Sequence, residues 1–133
     1  MTRTKLIVAG LALMVAVVGC RKVSSNKSYN VSPENVTTAD LPSAKLIVAV
    51  YVSENNVPVS AYLVRTDAVS AILDEVRSGK KKPDQAANAS NFATKFEGPS
   101  GKLTSPTSDS RIAWTIIFTT KQPTKVTVTS SGE

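Results

Sequence analysis

Residues 67–96 read DAVSAILDEVRSGKKKPDQAANASNFATKF, and the fold class turns on whether this stretch is helical throughout. Its first half carries Val69, Ile72, Leu73 and Val76 at the i, i+3, i+4, i+7 spacing that puts apolar side chains on one helix face. Asp67 is placed to cap the start, since a short side-chain oxygen can accept from an otherwise unpaired backbone N–H. Gly79 is placed to end the helix in a left-handed turn, and Lys80, Lys81 and Lys82 suit the negative end of its dipole. Pro83-Asp84 restarts the chain. Ala89, Phe92, Ala93 and Phe96 then repeat the spacing, so a second helix capped by Asp84 is predicted.

Strand patterns lie on either side. In KLIVAVYV (45–52), Leu46, Val48, Val50 and Val52 share one face and Ile47, Ala49 and Tyr51 the other, which predicts a strand buried on both sides. SENN (53–56) is a turn, and VPVSAYLVR (57–65) is a second strand, hairpinned to the first. EGPSGKLTSPTSDS (97–110) reads as a loop, rich in Gly, Pro and Ser. In RIAWTIIFTT (111–120), Ile112, Trp114, Ile116 and Phe118 alternate with Ala113, Thr115 and Ile117. VTVTS (126–130) alternates Val126 and Val128 with threonines, as a half-exposed edge strand does. The order ββααββ predicts an α+β fold, a four-stranded, mostly antiparallel sheet with two helices packed on one face. No internal repeat is present.

The N-terminus has a different character. Arg3 and Lys5 precede an apolar run from Leu6 to Val18, and VVGC ends in Cys20, the only cysteine of the chain. A positive start, about a dozen apolar residues and small residues before a cut describe an export signal. The run is shorter than the roughly 20 residues that a bilayer-spanning helix needs. Residues 1–20 resemble a bacterial lipoprotein signal, with VVGC in the place of the lipobox. That resemblance implies cleavage before Cys20, a diacylglycerol on its sulfur and often a further acyl chain, such as palmitate, on the new amino group. It also implies an extracytoplasmic, membrane-bound protein. Arg21 stands where an Asp signals retention at the inner membrane, so the outer membrane is implied where the cell has one.

Removal of 19 of the 133 residues leaves 114, about one domain. Residues 20–44 are polar with scattered apolar positions and two prolines, and are expected to form a flexible tether with a reach of roughly 25–30 Å. Residues 45–133 are expected to form the domain. Loss of Arg3 and Lys5 lowers the basic count from 16 to 14 against 10 acids, a mature charge of about +4. Nucleic acid is a poor partner for this chain, because export removes it and aromatic residues are too few to stack bases. A single cysteine allows no internal disulfide.

The residue types for catalysis are sparse. There is no histidine, which removes imidazole-activated nucleophiles and the commonest zinc ligand. Asp74 and Glu75 are adjacent on a helix and point in different directions. S-x-x-K occurs at Ser24–Lys27 and Ser78–Lys81, and neither lysine has the desolvated setting that a catalytic amine needs. EGPSGK (97–102) falls short of a phosphate-binding loop, with Gly98 and Gly101 too close and Leu103 after the lysine. Trp114 belongs to a core strand. No cofactor, metal, catalytic residue or small-molecule substrate is expected.

A second resemblance spans residues 39–106. VAVYVSE (48–54), NVPVSAYLV (56–64), the helix AVSAILDEVRSG (68–79) and GKLTSP (101–106) are similar in order and pattern to the sporulation and germination (GerMN) domain of actinobacterial lipoproteins. That likeness implies an extracytoplasmic α/β module that binds within envelope assemblies and has no catalytic residues.

The expected function is therefore that of a non-enzymatic lipoprotein, anchored at Cys20, presenting a small domain to an envelope protein. The candidate contacts are the edge strand Val126, Thr127, Val128 and Thr129, where unpaired backbone could accept a partner strand, and the basic cluster Lys80, Lys81 and Lys82. Alternatives are a pilotin or assembly chaperone for an outer-membrane subunit, which would need an open apolar groove between helix and sheet, and an exclusion or immunity lipoprotein of a mobile element.

Overall fold

The computed structural model describes residues 23–133 except Lys80 and Ala89. Eight strands run in chain order: β1 (Val23–Val31), β2 (Thr37–Asp40), β3 (Ile47–Ser53), β4 (Val59–Arg65), β5 (Phe92–Gly98), β6 (Ser100–Thr104), β7 (Trp114–Thr120) and β8 (Thr124–Gly132). They form two four-stranded sheets with spatial orders β1-β8-β3-β6 and β2-β7-β4-β5. Every pairing is antiparallel. The chain passes from one sheet to the other at every connection except β4 to β5. Two facing sheets of four with this crossing pattern make a jelly roll.

The α+β expectation is thus overturned. Among the described residues the fold is a β-sandwich with one nine-residue helix, α1 (Val69–Arg77), and one four-residue turn of helix, α2 (Pro83–Ala86), both inside the β4–β5 connection. The inner faces of the sheets supply the core. Alternation along β3 puts Ile47, Ala49 and Tyr51 inward, and β7 contributes Trp114, Ile116 and Phe118 from the opposite sheet. Tyr51 sits between them, its ring edge-on to Phe118 at 5.5 Å and to Phe96 at 6.3 Å, and its hydroxyl donates to the Gly98 carbonyl at 3.1 Å. A second, smaller core lies outside the β2-β7-β4-β5 sheet, where Ile72 of α1 meets Tyr62, Val64 and Ile117.

Four elements differ from expectation, each for a physical reason. Residues 23–44 hold β1 and β2, so the expected tether is a structured part of the domain from Val23 on. β1 is an edge strand whose outward residues, Ser24, Asn26, Ser28 and Asn30, face water and mask the alternation that Tyr29 and Val31 begin. The second helix stops after Ala86. Asn88 Oδ1 accepts from the backbone N–H of Ser90 and Asn91, both at 3.1 Å, and this turn releases the chain into β5. Phe92 then points out under α1 and Phe96 points in toward Tyr51. The stretch read as a loop contains β6, which reaches the other sheet through Gly98 at φ +147° and Pro99. β3 and β4 form no hairpin; they lie in different sheets, joined through Asn55 and Asn56, both at positive φ.

The helix over Val69–Arg77 forms with Ile72 buried, as its spacing requires, and Gly79 takes φ +76° while its N–H donates to the Val76 carbonyl. Asp67 does not cap it. The N-cap is Ala68, and Asp67 instead pairs with Arg65 at 3.4 Å within a 3-10 turn.

The sandwich has two ends. At one, Val23 lies opposite Gly132, Gly132 opposite Ile47, and the Ala44–Ile112 bridge joins the two sheets. At the other, Val31 lies opposite Thr124, Ser53 opposite Val126 and Val59 opposite Thr120. β8 runs the whole distance, so the ends are roughly 25 Å apart.

Two outcomes follow for the folded chain. A chain that begins at Ser32, without β1, is expected to lose at least about 1.5 kcal/mol of stability in urea unfolding relative to one that begins at Arg21, because burying Val31 alone contributes about 1.5–3 kcal/mol and the pairing with β8 adds to it. A dispensable tether would leave the two equal. Burial, with a smaller contribution from Glu97, raises the Tyr51 phenol from 10.0 to about 12. The unfolded chain releases this proton near pH 10 and the folded chain keeps it, so the stability present below pH 10 declines as pH rises toward 12. Tyr51→Phe should flatten that decline, at a cost of about 1 kcal/mol at neutral pH for the lost hydrogen bond.

Candidate functional site

Sequence places α1 and α2 on the outer face of only one sheet, and they cover only part of it. β4 and its neighbours present outward rows there. One row is Thr119, Ser60 and Glu97 across β7, β4 and β5; the next is Ile117, Tyr62 and Lys95. Ile72 covers the second row at Ile117 and Tyr62. The first row remains open, and a groove of about 610 Å³ lies over it, at the end of the sandwich remote from Val23. This is within the range of about 300–1,000 Å³ typical of ligand pockets.

The groove is assembled from four segments. Val57, Pro58 and Val59, entering β4, supply apolar surface, and Val76 of α1 with Pro83 of α2 supplies the opposing wall. Pro83 is buried, and the segment before it is fixed at its backbone, where the Lys82 N–H donates to Gln85 Oε1 at 3.0 Å. Asp84 ties the same segment to β5, accepting from Lys95 Nζ at 3.2 Å. This hydrogen bond is the main reason that the Lys95 ammonium is held above its ordinary range. The β7–β8 turn closes the far side: Thr120 Oγ1 donates to the Gln122 carbonyl at 2.7 Å and brings Lys121 to the rim.

The charge is one-sided. Lys81, Lys82 and Lys121 stand at the rim against a single carboxylate, Glu97. Among the described residues the ion pairs are Arg65–Asp67 and Lys95–Asp84, so none of the three rim lysines is paired. Tyr62 lines the inner end. It is only 3% exposed, and burial is the chief cause that raises its phenol, partly opposed by a hydrogen bond with Ser60. Cations at the rim, apolar walls, and the hydroxyls of Ser60 and Thr119 on the floor between them form an arrangement suited to binding an anion-bearing ligand.

The sequence-predicted site residues separate clearly. Cys20 and Lys80 lie outside the described residues. Lys81 and Lys82 stand at the groove. Val126, Thr127, Val128 and Thr129 are not an edge: β8 is hydrogen-bonded to β1 on one side and to β3 on the other, so its backbone has no free ladder to offer. Threonines alternate there because the outer face of this sheet is open to water, while Val126 and Val128 face the core. Ser24 and Lys27 are three apart on a strand and so point to opposite faces. Trp114 is buried in the core. Ser60, Tyr62, Glu97, Thr119 and Lys121 were not anticipated as neighbours. The turn at 121–123 is visible in KQP, but nothing local connects it to lysines 40 residues earlier.

No group of three or more His, Cys, Asp or Glu among the described residues is placed to hold a metal ion, and none of their helices is long and apolar enough to cross a membrane. No family model and no curated protein matches the chain. Among solved structures the chain is similar to the crystal structure of Yersinia pseudotuberculosis-derived mitogen, with 9% identity over 84% of this chain and 86% of that one and a TM-score of 0.51. Likeness at that identity is a likeness of fold. It agrees with the two-sheet architecture and carries no more.

Proposed function

We propose that this chain is a non-enzymatic envelope lipoprotein, held to a bilayer by acyl chains on Cys20, that presents the groove to an envelope protein. The observation that carries this reading is VVGC itself, a lipobox-like end to an export signal, set immediately before a domain. One acyl chain holds a protein only marginally and two or three hold it firmly. The reading places the protein outside the cytoplasm, at the outer membrane where there is one, with neither cofactor nor nucleic acid involved.

The short distance from Cys20 to β1 gives this reading a geometry. Two residues, Arg21 and Lys22, separate Cys20 from Val23, and three steps of at most about 3.6 Å each span about 11 Å in all. On this reading the sandwich rides directly on the bilayer by its Val23 end, without the long tether expected from composition. The groove then faces away from the lipid.

A specific feature also favours a second reading, the pilotin or assembly chaperone. Such a protein needs an apolar groove between helix and sheet, and Val57, Pro58, Val76 and Pro83 line one. Both readings require the anchor, and they differ in whether the bound protein remains or is carried onward.

Fractionation tests the anchor. The native protein is expected in the membrane pellet, released by detergent but not by high salt, with an intact mass showing acylation at Cys20. Cys20→Ala is expected in the soluble extracytoplasmic fraction or retained with its signal uncut. An unmodified thiol on a freely soluble native chain would refute the proposal.

A further inference from the structure

We infer that the groove binds an acidic peptide segment carrying an apolar side chain, with the carboxylates at the lysine rim and the apolar group held between the apolar walls. This deepens the proposed function and rests on it only for the direction in which the groove faces.

Charge complementarity selects the anion. Lys81, Lys82 and Lys121 come from two segments far apart in sequence and converge on one opening, and none is paired among the described residues. A lysine cluster at a helix end alone would satisfy only that end. Lys121 has no such role, since it lies in the β7–β8 turn across the groove. Its approach to Lys81 and Lys82 raises the local positive potential, which a ligand carboxylate would relieve.

The apolar walls select a peptide over the other anions of an envelope. Val57 and Pro58 on one side and Val76 and Pro83 on the other form apolar walls between which a sugar hydroxyl would be desolvated on entry. A glycan site would also offer an exposed aromatic face for a ring to stack upon, and Tyr62, the one aromatic lining residue, is 3% exposed. An apolar side chain such as leucine fits between the walls without that cost. The hydroxyls of Ser60 and Thr119, opposite each other on β4 and β7, can meet the peptide's backbone amides. Glu97 sits across the row from them and repels an acid, which leaves the lysine side as the one place for the ligand's carboxylates. Lipid headgroups are disfavoured because the groove is at the end remote from Val23.

The experiment uses the native lipoprotein in neutral detergent. The probe is a fluorescein-labelled peptide of alternating glutamate and leucine, read by anisotropy. Peptides with lysine for glutamate, or serine for leucine, are controls, as is an oligogalacturonate of matched charge. The glutamate–leucine peptide is expected to bind, and each peptide control should bind at least about tenfold more weakly. Lys81→Glu with Lys121→Glu should weaken it by a similar factor, with an unchanged thermal melt because both side chains are exposed. Backbone amide shifts on titration should centre on Ser60 and Thr119. Equal binding by the serine control, tighter binding of the oligogalacturonate, no effect of the charge reversal, or shifts centred elsewhere would each overturn the inference. The Cys20→Ala chain separates this from the anchor: peptide binding by a soluble Cys20→Ala protein upholds the groove whatever the fate of the lipid.

Discussion

The structure depends on β8 being paired on both sides. All nine of its residues face β1, and seven residues of β3 face it from the other edge. Two antiparallel partners leave a strand with no free backbone donors or acceptors, so β8 is the element from which the sheet β1-β8-β3-β6 cannot be opened without breaking two ladders. Its small inward residues follow from this position. Gly132 lies where an added Cβ would come within 2.6 Å of the Ala44 Cβ, and Ser130 packs at the interior with Ala49 opposite. Close approach at this end lets β1, β8 and β3 reach their common limit together, and it is the same end from which the chain leads back to Cys20.

How much of this was legible can be judged strand by strand. β7 was legible because its inward residues, Trp114, Ile116 and Phe118, are large and its outward Ile117 is needed under α1; a strand with something packed on each face announces itself. The helix over Val69–Arg77 was legible because four apolar residues at helical spacing have no other use. β1 and β5 were not. An edge strand with one face in water needs few apolar residues, and serine and asparagine satisfy its outward positions as well as they would a linker. Phe92 and Phe96 are four apart, a separation that fits one face of a helix. On a strand the same separation should keep them on one face too, but the register shift between Leu63 and Val64 turns Phe92 out and Phe96 in. That irregularity is a property of the pairing and leaves no local mark.

The misplacement of β8 has the same origin. Alternating valine and threonine says that one face of a strand is wet and nothing about what lies beside it. Both edge and interior strands of an open-faced sheet carry that pattern. The outer face of the β1-β8-β3-β6 sheet is indeed wet, with Asn26 hydrogen-bonded to Thr129 at 3.1 Å and Ser28 to Thr127 at 3.0 Å, and with Val50 and Val52 at 43% and 55% exposure beside them. The valines of β3 that suggested burial on both faces are solvent-facing residues, chosen in shape for a pleated backbone as much as for a core.

The two sheets differ in what covers them, and the difference traces to one connection. All other connections cross between the sheets and are spent at the ends of the sandwich. The β4–β5 connection alone returns to its own sheet, as the neighbour of the strand it left, so its 26 residues, 66–91, must be accommodated on the outside. An amphipathic helix is a solution to that constraint, because its apolar stripe finds Tyr62, Val64 and Ile117 already on the outer face. The helix is nine residues long, about 13 Å at 1.5 Å per residue, and cannot cover the full strand length. The chain must then return to β5, and the segment that does so, Lys81 to Ala86, stands beside the uncovered row, held down by Asp84 on Lys95. The groove is therefore what a short helix leaves over when it is inserted at the only same-sheet connection of a jelly roll, and its lysines come from the segment that has to bridge the gap.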